Sequence, residues 1–164
     1  MRVLLALGLV ALAFPAAAEG LKFSPRAVET CLEQGGWRDC IGTAANACME
    51  ETEGGYTTPG MAGCLDAERE YWDGELNAAY GELRARAQQF DADPPIEGLP
   101  PRPSSVDALR DMQRAWIAFR DAECGFRYTY WREGTIRSLF FGSCMLDLTA
   151  RRAIDLEEVA NGAL

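Results

Sequence analysis

The chain has 164 residues, 48% of them hydrophobic, with 16 basic and 25 acidic residues and no histidine, giving a formal net charge of −9. That balance repels nucleic acid and anionic lipid surfaces and favours basic partners. The missing imidazole excludes Ser-His-Asp and Cys-His nucleophilic machinery and mixed Cys/His zinc sites.

Residues 1–18 read as a secretory signal, with Arg2 in a positive n-region, an apolar run from Val3 to Phe14, and Ala16-Ala17-Ala18 as a small-residue cleavage site. The apolar run is about a dozen residues, short of the roughly 20 that span a bilayer, and no later stretch approaches that length. No cysteine stands at the junction to accept a lipid, so the expected product is a periplasmic or secreted protein beginning near Glu19. Without Arg2 its charge falls to about −10, and residues 19–164 have the size of one domain. Solubility alone accounts for the acidity as well as partner steering does.

Six cysteines, Cys31, Cys40, Cys48, Cys64, Cys124 and Cys144, form an even set in an exported chain and predict three disulfides. No C-x-x-C occurs among them, which weakens metal and thioredoxin-type readings. Of the possible connectivities, Cys31 with Cys40, Cys48 with Cys64, and Cys124 with Cys144 join neighbours across single turns.

In chain order, Ser24-Pro25 opens a short helix that stops at Gly35-Gly36, and Trp37 to Glu53 is a second short helical segment ending at Gly54-Gly55. Thr58-Pro59 opens the first long helix, in which Met61, Leu65, Trp72, Leu76, Ala79, Leu83, Ala87 and Phe90 follow three-and-four spacing as a core stripe. Glu68 stands within that stripe, while Asn77 lies on its flank. Residues 91–103 contain five prolines and read as a stiff loop that reverses the chain.

Ser104 or Ser105 caps the next helix, which runs to about Trp131. At 100° per residue Leu109, Met112, Trp116 and Phe119 share an arc expected to face the core, and Arg120, Glu123 and Arg127 fall in it too. Gly134 ends this helix, and Thr135 caps the last, from Ile136 to about Val159, with Phe141, Cys144, Met145, Leu148 and Val159 on one face beside Arg152. No segment alternates cleanly as a strand. The expected fold is all-α, a disulfide-bonded antiparallel helical bundle of three long helices with a short N-terminal helical pair.

Charges on apolar stripes need partners. Glu68, Asn77, Arg120, Glu123, Arg127 and Arg152 are therefore expected to form a structural polar network between helices, with Arg120 pairing to an acid such as Glu68. Trp37, Tyr128, Tyr130 and Trp131 either cover one another or form an exposed patch.

Leu76-Asn77-x-x-Tyr80, Gln113-Arg114-x-Trp116-x-x-Phe119-Arg120-Asp121-x-x-Cys124 and Cys144-x-x-x-Leu148-Thr149-x-x-Arg152 together form a pattern that resembles the lysozyme-inhibitor LprI-like N-terminal domain family of exported bacterial proteins. With Cys48 and Cys64 the resemblance covers about residues 48–156, leaving Cys31 and Cys40 in an N-terminal extension, residues 19–47. It implies a helical exported protein with lysozyme-inhibiting activity, and therefore a basic lysozyme-type protein as partner.

An acidic surface is compatible with that, because peptidoglycan-degrading lysozymes are commonly basic. The alternative is a structural or envelope-associated interaction protein with another partner, and a third reading is carboxylate-based glycan cleavage, for which no acid is singled out by spacing. No cofactor, metal or nucleic-acid partner is implied, and oligomeric state is not encoded legibly. Loop residues Glu51, Glu53 and Tyr56, and Asp91, Asp93 and Glu97, are the candidate partner contacts.

Overall fold

A computed structural model describes residues 20–162; the expected signal segment, residues 1–18, lies outside them. The described chain is helical: α1 (Arg26–Glu33), a 3-10 turn (Trp37–Cys40), α2 (Thr43–Glu51), and the long helices α3 (Thr58–Ala92), α4 (Ser105–Tyr130) and α5 (Arg137–Ala160). It contains no strand among the described residues.

The second short segment is broken in two, and the reason lies at Gly42. Its φ of 94° is a left-handed conformation that side-chain-bearing residues avoid, and it separates the 3-10 turn from α2. Three disulfides tie the elements: Cys31–Cys40 joins α1 to the 3-10 turn, Cys48–Cys64 joins α2 to α3, and Cys124–Cys144 joins α4 to α5. Gly36 is required at the first of these, since a Cβ there would come within 2.7 Å of both sulfurs.

The three long helices start and stop where local chemistry dictates. Thr57, one residue before the expected cap, accepts from the Gly60 N–H at 3.2 Å, with Pro59 in the first turn of α3. Ser104 caps α4 by accepting from the Asp107 N–H at 3.1 Å. At the α4–α5 turn the left-handed position is taken by Arg132, φ 49°, rather than Gly134, and α5 begins after Ile136 with no side-chain cap from Thr135. Trp131 stacks on Phe140 at 4.4 Å between ring centroids across this turn.

The core runs along the seam between α3 and α5, closed at one end by the short helices. Trp72, Leu76 and Ala79 of α3 meet Leu146, Ala150, Ala153, Ile154 and Leu156 of α5, with Val28, Ala44, Ala45 and Met49 beneath. Small residues on α5 let the two helix backbones approach closely. Phe90, expected at the end of the α3 stripe, is 60% exposed, because α3 outruns its partners there. Phe141 likewise sits at the rim, edge-on to Tyr128.

The helix α4 is oriented differently from its apolar pattern. Met112 and Phe119 are exposed, and the face turned inward carries Gln113, Trp116, Arg120 and Cys124 instead. The Cys124–Cys144 bond fixes that rotation, bringing the Cα atoms to 5.5 Å and selecting which side of α4 meets α5. Gln113 meets Arg152 while Cys124 meets Cys144, so α4 and α5 run antiparallel.

Candidate functional site

Two polar constellations are built into the fold, one under α2 and one along the α4–α5 seam. The first is centred on Glu68, one turn beyond Cys64 on α3 and fully buried. Its carboxylate accepts from the backbone N–H of Gly42 at 2.7 Å, from that of Ala45 at 2.6 Å, and from the Trp72 indole N–H at 3.0 Å. The first N–H groups of a helix lack intrahelical partners and carry partial positive charge, so a carboxylate at α2's start is satisfied by peptide dipoles. Arg120 is not its partner.

The second constellation gathers motif residues of α4 and α5. Arg152 reaches across the seam and donates through Nε to Gln113 Oε1 at 3.0 Å, and its guanidinium lies 5.7 Å from the centre of the Trp116 ring. Arg120, one turn along α4, places its own guanidinium 5.0 Å from the same ring and pairs with Asp121 at 2.8 Å. Two guanidinium groups therefore share one indole, an arrangement in which the π face offsets part of the cost of withdrawing cations from water. Burial pulls the Arg152 guanidinium below its ordinary value, and Asp155 acts in the opposite sense. Within this seam Arg152 Nη2 and Thr149 Oγ1 are buried without a hydrogen-bond partner among the described residues.

The expected inter-helix network is thus mostly absent. Glu68 and Arg152 bridge elements, but Asn77 is exposed and donates to Asp73 on its own helix at 3.1 Å, and Arg127 pairs with Glu123 one turn away at 2.9 Å. These are surface contacts of small energetic weight. The Gln113–Arg152 contact was not among the expected pairs, although both residues belong to the motif blocks that carry Cys124 and Cys144.

Of the loop candidates, Glu51, Glu53 and Tyr56 are exposed around the α2–α3 turn, Tyr56 at 64%. Asp93 and Glu97 are exposed in the proline-rich loop, beside a pocket of about 750 Å³ walled by Phe90, Ile96, Leu99 and Arg102. Asp91 is committed elsewhere. It accepts from Ser104 Oγ at 2.8 Å and from the backbone N–H groups of Ser105 at 2.7 Å and Val106 at 3.1 Å, so it reinforces the start of α4. Those donors, the Ser105 N–H foremost, hold its carboxyl down at about 2.

Tyr128, Tyr130 and Trp131 lean on one another and on Phe140 and Phe141 at the α4–α5 turn while staying partly exposed, with Arg137 4.7 Å over the Tyr128 ring. Among the described residues no cysteine is free and no group of three or more Cys, Asp or Glu is placed to hold a metal ion.

The seam residues and the cysteines flanking them lie inside one match. The model of the family described as lysozyme inhibitor LprI matches residues 48–156. The chain belongs to the LprI family. The match takes in α3, α4, both disulfides of the long helices, Glu68 and the whole Gln113–Arg152 seam, while α1 and the Cys31–Cys40 bond precede it.

This LprI-family chain is 28% identical over 162 residues, 99% of either chain, to an uncharacterized 17.7 kDa protein from the puhA 5′ region of Rhodobacter capsulatus. It is 30% identical over 101 residues, 61% of this chain and 71% of the other, to an uncharacterized protein of Rhizobium meliloti. Over 62 residues, 37% of this chain and 36% of the other, it is 39% identical to the uncharacterized protein YecT of Escherichia coli. No solved structure matches it. The three disulfides fit an extracytoplasmic protein, and no described helix is long and apolar enough to cross a membrane.

Proposed function

We propose that this LprI-family protein is exported to the periplasm or beyond, where it acts as an acidic binding protein that inhibits a basic, lysozyme-type peptidoglycan hydrolase, with no catalysis of its own. The family match over residues 48–156 carries this reading. The charge distribution supports it. Exposed carboxylates of Glu29 on α1, Glu75 on α3 and Glu157 on α5 converge on Tyr71. Burial first, and then these charges with Glu68, push the Tyr71 hydroxyl up to about 12. A surface with that field draws cationic proteins in and raises their association rate.

The α2–α3 turn is the contact region we assign, through Glu51, Glu53 and Tyr56, with Asp93 and Glu97 of the proline-rich loop as secondary contacts. An exposed tyrosine flanked by carboxylates supplies both a rigid apolar surface and charge for a basic cleft.

The test is lysis of a peptidoglycan suspension by a basic lysozyme in the presence of the purified, disulfide-bonded protein. Inhibition is expected at low salt and should weaken as salt shortens the screening length from about 30 Å at 0.01 M to about 8 Å at 0.15 M. Lysis at the uninhibited rate, together with no binding at low salt, would refute the reading.

A further inference from the structure

The helix α4 turns a mixed face of Gln113, Trp116, Arg120 and Cys124 inward and leaves an apolar stripe uncovered. On the solvent side Met112, Phe119 and Phe126 follow at seven-residue intervals and are 42%, 56% and 63% exposed. Ala108, Ala115 and Ala122, also exposed, sit between them, and Tyr130 continues the line. At 100° per residue these positions occupy an arc of about 80°, and no charged residue falls in it. A lone chain in water gains nothing from such a stripe, and contiguous exposed apolar surface of this kind marks an interface.

We infer that this stripe pairs with the same stripe of a second copy of the chain, α4 against α4 in antiparallel order about a two-fold axis. The argument is self-complementarity of shape. Each large residue is followed three positions later by a small one: Met112 by Ala115, Phe119 by Ala122, Phe126 by Thr129. Antiparallel packing of a heptad stripe sets the first kind against the second. Phe119 then enters the space over Ala122 of the other copy, Phe126 that over Ala115, and Met112 that over Thr129. Two-fold symmetry repeats every contact, which closes the assembly at two copies.

Charge agrees with that choice of occupant. A basic enzyme drawn by the acidic surface would need carboxylates at its contact, and the stripe has none. For two chains of the same net charge it is instead the side on which approach costs least. Asp111 flanks the stripe near its start and the exposed Arg132 lies just past its end. The antiparallel arrangement turns Asp111 of each copy toward Arg132 of the other. The helix spans 26 residues, about 39 Å at 1.5 Å per residue, long enough for a standard-sized interface.

Sedimentation equilibrium of the disulfide-bonded protein tests this separately from lysozyme inhibition, because salt acts in opposite senses. Self-association should tighten as salt screens the repulsion between copies, whereas binding to a basic enzyme should weaken. Phe119→Glu should weaken dimerisation by about tenfold or more, with a melting temperature equal to the parent's at concentrations where both are monomeric. Ile117→Glu, off the stripe and 40% exposed, should leave dimerisation intact. A photoreactive benzoylphenylalanine at position 119 should cross-link to residue 122 or its neighbours in the other copy. A chain that stays monomeric at every concentration, a dimer indifferent to Phe119→Glu, or a cross-link outside residues 112–129 would each overturn the inference. So would a monomer in which Phe119→Glu abolishes lysozyme binding, since the stripe would then belong to that enzyme.

Discussion

Glu68 accepts a hydrogen bond from the Gly42 backbone N–H at 2.7 Å, and that contact explains how a carboxylate can be fully buried without a cation paired to it. The second oxygen takes the Ala45 N–H, and the Trp72 indole completes the shell. Removing the acid leaves three buried donors without an acceptor. Glu68→Ala should therefore destabilise by about 3–4 kcal/mol, from charge-assisted bonds worth about 1.5–3 kcal/mol each less partial relaxation. Glu68→Gln, which keeps one acceptor oxygen, should lose less. Urea unfolding of the oxidised protein measures both, and an unchanged midpoint for Glu68→Ala would show that α2 needs no such cap.

At the α4–α5 seam the two partners of one hydrogen bond should respond unequally. Gln113→Ala strands the Arg152 guanidinium, whose Nη2 already lacks a partner, and should cost about 1.5–3 kcal/mol. Arg152→Met removes the partly buried cation and fills the same space with an apolar stem over Trp116. It should be nearer neutral, because a buried charge replaced by a well-packed hydrophobe costs little. Thermal melts of the two variants should thus rank Gln113→Ala as the less stable, and the reverse order would mean that Arg152 contributes net stability of its own.

The helices were legible because their boundaries are written in local chemistry: threonine before Pro59, serine before α4, prolines between α3 and α4. Which side of α4 faces inward was not. Leu109, Met112, Trp116 and Phe119 make one acceptable core arc, while Gln113, Trp116, Arg120 and Cys124 make another rotated from it, and both contain Trp116. Hydrophobicity favours the first arc, and the covalent bond at Cys124 imposes the second. For α5 the expected face runs through Phe141, Met145 and Leu148, yet the core contact is made by Ala150, Ala153 and Ile154, since close approach of two helices rewards small residues. The polar site was half legible. Glu68, Arg120 and Arg152 stand out as charges on apolar stripes, but Glu68 and Arg152 are satisfied by peptide N–H groups, an indole and an amide, which charge matching cannot find, and Arg120 by the adjacent Asp121 and the Trp116 ring rather than by another helix.

Asp91 makes acid sensitivity specific to one helix end. Its carboxyl is held at about 2 against an ordinary 3.8, so the folded state binds the proton more weakly than the unfolded chain. The stabilisation is present in full above the unfolded value and is lost as pH falls from about 4 through about 2. Asp91→Ala should lower the melting temperature at neutral pH and leave it less dependent on pH in that window. Melting curves that differ from the parent by the same amount at pH 2 and pH 6 would show that the carboxylate is not what caps α4.

The Cys31–Cys40 and Cys124–Cys144 disulfides should differ in weight, and their order follows from what each one closes. Cys31–Cys40 closes a loop with a sequence separation of 9, and its loss can be absorbed where α1 meets the 3-10 turn. Cys124–Cys144 spans 20 residues and also sets the rotation of α4, which no apolar preference would restore. In the chain-entropy account closures of this length are worth about 3 kcal/mol, rising slowly with loop size. Replacing Cys124 and Cys144 together by Ala should therefore cost about 3 kcal/mol. It should also free α4 to turn Met112 and Phe119 inward, with loss of the Arg152–Gln113 bond. Fluorescence of a form in which Trp116 is the only tryptophan reports this, because Trp116 would leave the Arg152 guanidinium of α5 while keeping that of Arg120, one turn along its own helix. A double variant that is destabilised while its Trp116 emission stays that of the parent would separate the entropic role of the bond from the orienting role assigned to it.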